Sequence, residues 1–191
     1  YRYARTSAQI VEDMNANHPA PGSPVGTPLG WWKFNEGAEN TCSGGTNDVC
    51  NVGAANTALD GTLSASSRTT AGKFGGAYDG GDNKRITISD NDALDFVAAD
   101  DFSISGWFKS DSATNPSVNE YLVEKGGNIA TDAVGYAIYT SAASDGLICF
   151  GIDDDATTFP EDETCSSSDI YDNTWHYILA KKTGTSRLDL Y

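Results

Sequence analysis

Asp101–Lys109 reads DFSISGWFK. Phe102, Ile104 and Phe108 share one parity, with Gly106 between them, and Ser103, Ser105, Trp107 and Lys109 share the other. Side chains alternate across a strand, so this stretch predicts a strand with one apolar face packed on a core. Working outward, GKFGGAYDGGDNKRITIS (Gly72–Ser89) precedes it and WHYILAKK (Trp175–Lys182) follows. The other segments can be arranged around it as partners in an antiparallel sandwich.

The chain has 191 residues, a length that suits one large all-β domain with a sizeable core. Short apolar runs alternate with Gly, Ser, Thr, Asn and Asp, and long helical periodicity is missing. No apolar stretch approaches the length of a membrane span. No charged-then-apolar leader stands at the start, a feature that a mature or excised chain would share. The formal charge of −15 argues against binding a nucleic-acid backbone. It suits an extracellular surface and tolerates hard cations, although most such carboxylates only keep a surface solvated.

The four cysteines fall into two local pairs, Cys42 with Cys50 and Cys149 with Cys165. Three connectivities are possible, and local pairing staples two polar loops without crossing the core. Zinc is the competing reading. The spacings are not CxxC, and His18 and His176 lie near neither pair in sequence. Disulfides are favoured, and with them an oxidising compartment.

Along the chain, Tyr1–Asn15 is the one convincing helix, with Thr6 and Gln9 in the positions of a capping box. Asn17–Leu29 is proline-rich and reads as an extended linker. Gly30–Phe34 (GWWKF) is the first predicted strand, and Asn35–Gly61 is a long polar loop. A short strand starts at Gly61–Leu63. Gly75–Asp79 and Lys84–Ser89 read as a hairpin about Gly80-Gly81-Asp82-Asn83. Strands are predicted at Tyr121–Lys125, Tyr136–Thr140, Leu147–Asp153, Trp175–Lys182 and Arg187–Tyr191, with an acidic loop over Asp153–Asp172. Many short strands joined by turn clusters indicate a two-sheet antiparallel sandwich or jelly roll.

GWWKFNEG (30–37), LDGTL (59–63), GKFGGAYDGGDNKRITI (72–88), DFSISGWFK and DNTWHYILAKKTGTSRLDLY (172–191), in this order, resemble the laminin-G-like domains of the concanavalin A-like lectin/glucanase superfamily. The resemblance covers Gly30–Tyr191. It implies a jelly roll, an extracellular or cell-surface setting, frequent calcium, and roles in adhesion or carbohydrate binding. Members of that family usually run on for further strands beyond the position of Tyr191. Tyr1–Asn15 resembles the closing segment and helix of a preceding domain of the same kind. The expectation is therefore a unit of a repeating array or fibre, whose partners are copies of itself or neighbouring like domains, or surface glycans or proteins.

Three chemistries compete for these residues. Glycoside hydrolysis needs two carboxylates across the bond. Glu161-Asp162-Glu163 is the nearest cluster, but its acids are adjacent rather than alternating. His176 sits between Trp175 and Tyr177 without a nucleophile elbow, and the resemblance makes it structural. Calcium takes oxygens from carboxylates, Asn side chains and carbonyls. The resemblance points to the Glu36 and Asp48 regions, and Asn35, Asn51, Asn56 and Asp60 are further candidates. The same composition also suits loops that turn through Asx-type bonds. Asp153-Asp154-Asp155 reads as a solvated hairpin tip. Trp107, opposite the apolar face, is the candidate sugar-binding aromatic, although aromatics in strands are by default core residues. The expected function is a non-catalytic adhesion or structural module, the alternative being a carbohydrate-binding module attached to a secreted enzyme.

Overall fold

The computed structural model describes residues 6–16, 28–37, 41–42, 47–64, 68–81, 84–111, 114–126, 134–142, 146–153, 160 and 162–191. Among them the chain is all-β apart from α1 (Ser7–Ala16) and two short 3₁₀ turns. α1 starts where its capping box predicts. The Thr6 N–H donates to Gln9 Oε1 at 2.9 Å, and the Gln9 N–H donates to Thr6 Oγ1 at 3.3 Å. Residues 1–5 and most of the proline-rich segment lie outside the described residues. The chain divides into two compact units, one spanning Val11–Asp95 and the other Phe96–Tyr191 with Arg2–Ile10.

The first unit holds β1 (Gly61–Leu63), β2 (Arg68–Gly72), β3 (Gly75–Tyr78) and β4 (Ile86–Ile88). β1 pairs antiparallel with β4, and β2 with β3. This corrects the expected hairpin between 75–79 and 84–89. The Lys84 N–H does donate to the Gly81 carbonyl at 3.0 Å, but β3 and β4 on either side pair with other strands. β2, RTTAG, carries no apolar alternation and so left no strand signal. Gly30–Phe34 is likewise not a strand. Only an isolated bridge joins Trp32 to Asn51. Phe34 has φ 56°, a left-handed conformation that cannot extend a strand. β3 runs close past it: a Cβ on Gly76 would lie 2.2 Å from the Phe34 carbonyl oxygen, so only glycine fits there.

The second unit carries β5 (Phe102–Phe108), β6 (Glu120–Lys125), β7 (Gly135–Thr140), β8 (Leu147–Asp153), β9 (Asp162–Asp169), β10 (His176–Thr183) and β11 (Arg187–Leu190). They form a three-stranded sheet, β11-β10-β5, and a four-stranded sheet, β6-β7-β8-β9, all antiparallel. The DFSISGWFK stretch is a strand, as its alternation predicts, and the strand of WHYILAKK lies at the centre of its sheet. β9 corrects the reading of 153–172 as a loop. Its register sets Cys165 directly opposite Cys149, so a run of serines and acids is held in a ladder by the partner strand.

One core joins these two sheets. Phe102, Ile178 and Ala180 come from the first; Tyr136, Ile138, Ile148, Phe150 and Ile152 come from the second. Ile104 and Phe108 pack against it from the apolar parity of β5. Phe96 stacks on Phe102 at 4.3 Å, and Phe102 meets Phe150 edge-on at 6.1 Å. Each fully buried side chain of this size contributes about 1.5–3 kcal/mol. On the opposite parity of the four-stranded sheet, Tyr121, Tyr139, Cys149 and Cys165 follow one another in register across β6, β7, β8 and β9.

Candidate functional site

The polar loop of the first unit is organised by Asn51. Its Oδ1 accepts the Trp31 N–H at 2.7 Å and the Gly53 N–H at 2.9 Å. Its Nδ2 donates to the Asn56 carbonyl at 2.8 Å and to the Leu29 carbonyl at 3.3 Å. An amide offers two donors and two acceptor lone pairs. All are engaged, so this side chain builds the loop rather than facing a cation. Trp32 Nε1 donates to the Leu59 carbonyl at 2.8 Å, which fixes that indole as structural. The Cys42–Cys50 disulfide closes the segment, with Cα atoms 5.2 Å apart.

Three carboxylates of this loop each spend one oxygen on the backbone. Glu36 Oε1 accepts the Cys50 N–H at 3.0 Å, Asp60 Oδ1 the Asn51 N–H at 2.7 Å, and Asp48 Oδ2 the Leu63 N–H at 2.9 Å. The second oxygens of Glu36 and Asp60 are buried and meet no hydrogen-bond donor among the described residues. Glu36 also lines a small cavity with Phe34, Val49, Leu63, Arg68, Ala77 and Tyr78. The Tyr78 hydroxyl is likewise buried without a partner, and burial, then the Asp79 charge, raises its pKa. Asn35 is exposed. Two desolvated anionic oxygens are the donor chemistry of a hard cation. The acids nevertheless do not form a ready-made trio. Among the described residues the one group of three Cys, His or acidic ligand atoms within 4.8 Å is Cys149, Glu163 and Cys165, and those cysteines are joined to each other.

The other predicted positions fall elsewhere. Cys149 and Cys165 are bonded, with Cα atoms 4.0 Å apart across β8 and β9. Both local pairings are therefore present. Trp107 is half-buried and meets Tyr177 of β10 edge-on at 5.4 Å, a cross-strand packing pair. Asp162 and Glu163 lie on β9 opposite Ile152 and Gly151, and adjacent strand positions face opposite ways. Glu163 accepts a short hydrogen bond from the Tyr139 hydroxyl. Burial first, then this bond, raises the Tyr139 pKa. His176 Nε2 lies 2.9 Å from Asp172 Oδ1 and 3.1 Å from Thr174 Oγ1. A catalytic triad uses the two ring nitrogens for different partners. Here both partners meet the same nitrogen, and Asp172 also accepts from the Thr174 N–H at 2.9 Å, the geometry of an Asx turn.

One polar residue of the second unit carries no sequence signal that was used, and another differs from its expected setting. Lys182 is buried, and its ammonium donates to the carbonyls of Ala98, Asp100 and Gly184 at 2.5, 2.9 and 2.7 Å. Its position on the apolar parity of β10, two beyond Ala180, is a signal that could have found it. Asp153, read as part of a solvated tip, is 2% exposed at the end of β8. Asp154 and Asp155 lie outside the described residues. No helix among the described residues is long and apolar enough to cross a membrane. Comparison with protein-family models, with curated proteins and with solved structures finds no match.

Proposed function

We propose that this chain is a non-catalytic extracellular module of adhesion or structural assembly, folded as a laminin-G-like jelly roll and stabilised by calcium in the loop organised by Asn51. The observation that carries this reading is the pair of buried, unpartnered carboxylate oxygens, Glu36 Oε2 and Asp60 Oδ2. A buried acceptor without a partner costs about 1–3 kcal/mol, and more when charged. A hard cation offsets that cost.

Glu36 and Asp60 would hold the ion, helped by Asp48, Asn35 and neighbouring carbonyls. The ion would supply charge neutralisation and fix the loop, and the chain's own residues do the rest. The Asn51 amide sets the course of the backbone, and the Cys42–Cys50 bond shortens the fluctuations open to it. A loop so constrained presents a fixed surface to a partner at low ordering cost. Two disulfides suit an oxidising compartment. The partners in this reading are copies of the chain, like domains beside it, or surface glycans and proteins.

Calcium titration by calorimetry, paired with capture on arrays of extracellular glycans and matrix proteins, tests the reading. Stoichiometric calcium and capture that is lost in chelator are expected. A chain that binds neither calcium nor any arrayed partner, with its disulfides intact, is not such a module.

A further inference from the structure

Two carboxylates of the polar loop hang from consecutive peptide groups. Glu36 Oε1 accepts the Cys50 N–H at 3.0 Å, and Asp60 Oδ1 accepts the Asn51 N–H at 2.7 Å. Cys50 is also one end of the Cys42–Cys50 disulfide, and it is partly exposed. The donor that orients Glu36 therefore belongs to a cross-linked residue.

The two acids are secured differently. Asp60 adjoins Gly61, whose N–H donates to the Val49 carbonyl at 2.8 Å and whose carbonyl accepts the Val49 N–H at 3.0 Å. The Asn51 that holds Asp60 is itself fixed by its side-chain amide. These ties do not involve the disulfide. Glu36 stands six positions before Cys42, and its side chain reaches across to Cys50. Residues 36–42, the sulfur bond and the hydrogen bond from Cys50 to Glu36 close one ring. When the sulfur bond opens, Cys42 no longer holds the end of the Glu36 segment beside Cys50. A cation must then order that segment as it binds, which lowers its affinity.

We infer that the Cys42–Cys50 disulfide sets the calcium affinity of this loop, and that a small thiol of the glutathione class, by opening the bond, releases the ion. The inference rests on the calcium reading above and adds its regulation. In the step, two small thiols are oxidised to one disulfide. The Cys42–Cys50 bond takes their two electrons and two protons and becomes two cysteine thiols. Linkage is reciprocal, so a cation that prefers the oxidised loop makes this bond harder to open by the same factor.

The test titrates calcium by calorimetry into the full oxidised chain, into Cys42→Ser/Cys50→Ser and into Cys149→Ser/Cys165→Ser. Amide NMR spectra report whether each variant is folded. The first double variant should bind calcium about tenfold more weakly, and the second as tightly as the parent chain. In parallel, the parent chain is equilibrated in glutathione redox buffers with calcium or with chelator. Thiol alkylation read by mass spectrometry locates the bond that has opened. Calcium at saturation should raise, by that same factor, the squared glutathione concentration over that of its disulfide at which Cys42–Cys50 is half open. It should leave Cys149–Cys165 unchanged. Equal calcium affinity in a folded Cys42/Cys50 variant overturns the inference and leaves the calcium reading standing. Where that variant does not fold, a half-opening point indifferent to calcium overturns it. An equal calcium response of Cys149–Cys165 does so too. An oxidised parent chain that binds no calcium overturns both the inference and the reading beneath it.

Discussion

The Asp60 carboxylate accepts the Asn51 N–H at 2.7 Å, and Asn51 in turn spends its whole side-chain amide on four backbone groups. One carboxylate thus holds the residue that holds the loop. Asn51→Ala leaves two N–H groups and two carbonyls without their partner. A loss of about 2–4 kcal/mol is expected, measured by urea unfolding. Asn51→Asp should be comparably severe, because it turns an acceptor toward the Leu29 and Asn56 carbonyls.

Calcium should raise the melting temperature, and chelator should reverse the rise. At a hundredfold excess over Kd the gain is about 2.7 kcal/mol. Glu36→Gln and Asp60→Asn keep the oxygens that accept the Cys50 and Asn51 N–H groups, but replace the unpartnered ones. Each should abolish the calcium-dependent part of the shift in differential scanning fluorimetry. A rise that persists in both variants places the ion elsewhere.

Lys182→Met keeps the length of the side chain and removes its charge and donors. Three carbonyls, of Ala98, Asp100 and Gly184, then lose a buried partner. The expected cost is about 2–4 kcal/mol in chemical denaturation. Amide exchange should speed up in 96–101 and 183–186 before it does in β7 or β8.

Stability should fall at both extremes of pH. The His176 hydrogen bond, then those of Thr174, hold Asp172 down to about 2. Its unfolded value is about 3.9, so its contribution is fully present above that and is lost as pH falls through 2. Asp172 is exposed and its share is small. Burial first, then the bond to Glu120, pushes Tyr171 up to about 12. Against an unfolded value of about 10, its contribution is present below that and lost as pH rises through 12. Unfolding curves across both limbs check this. Asp172→Asn should flatten the acid limb and Tyr171→Phe the alkaline one.

Much of the fold was legible because alternation survives wherever one face is buried. β5, β7, β8 and β10 each carry that alternation or a continuous apolar run, and each was placed within a residue or two. β2 and β9 were not, because RTTAG and DETCSSSD bury too little to leave a period, and their ladders are imposed by partners. GWWKF failed in the opposite way. Its aromatics look like a strand, but the Asn51 amide and the left-handed Phe34 take the backbone elsewhere. At the site, Glu36, Asp48 and Asp60 were readable as loop acids. The role of Asn51 was not, since nothing in a sequence distinguishes an amide that binds an ion from one that ties a chain. Lys182 was overlooked because a terminal lysine on a strand is ordinarily solvated.

The row Tyr121, Tyr139, Cys149 and Cys165 has a mechanical meaning. Under tension along the strand axes, hydrogen-bonded neighbours resist by shearing past one another. β8 and β9 are riveted by the Cys149–Cys165 bond at one rung of the ladder. Those two strands cannot slip in register, so load must be released through other strand pairs or through the loops. The fifteen residues between the two cysteines form a closed ring, and while the bond is intact they add almost no extension to a pulled chain. Reduction frees that length and turns a stiff element of the sheet into a compliant one.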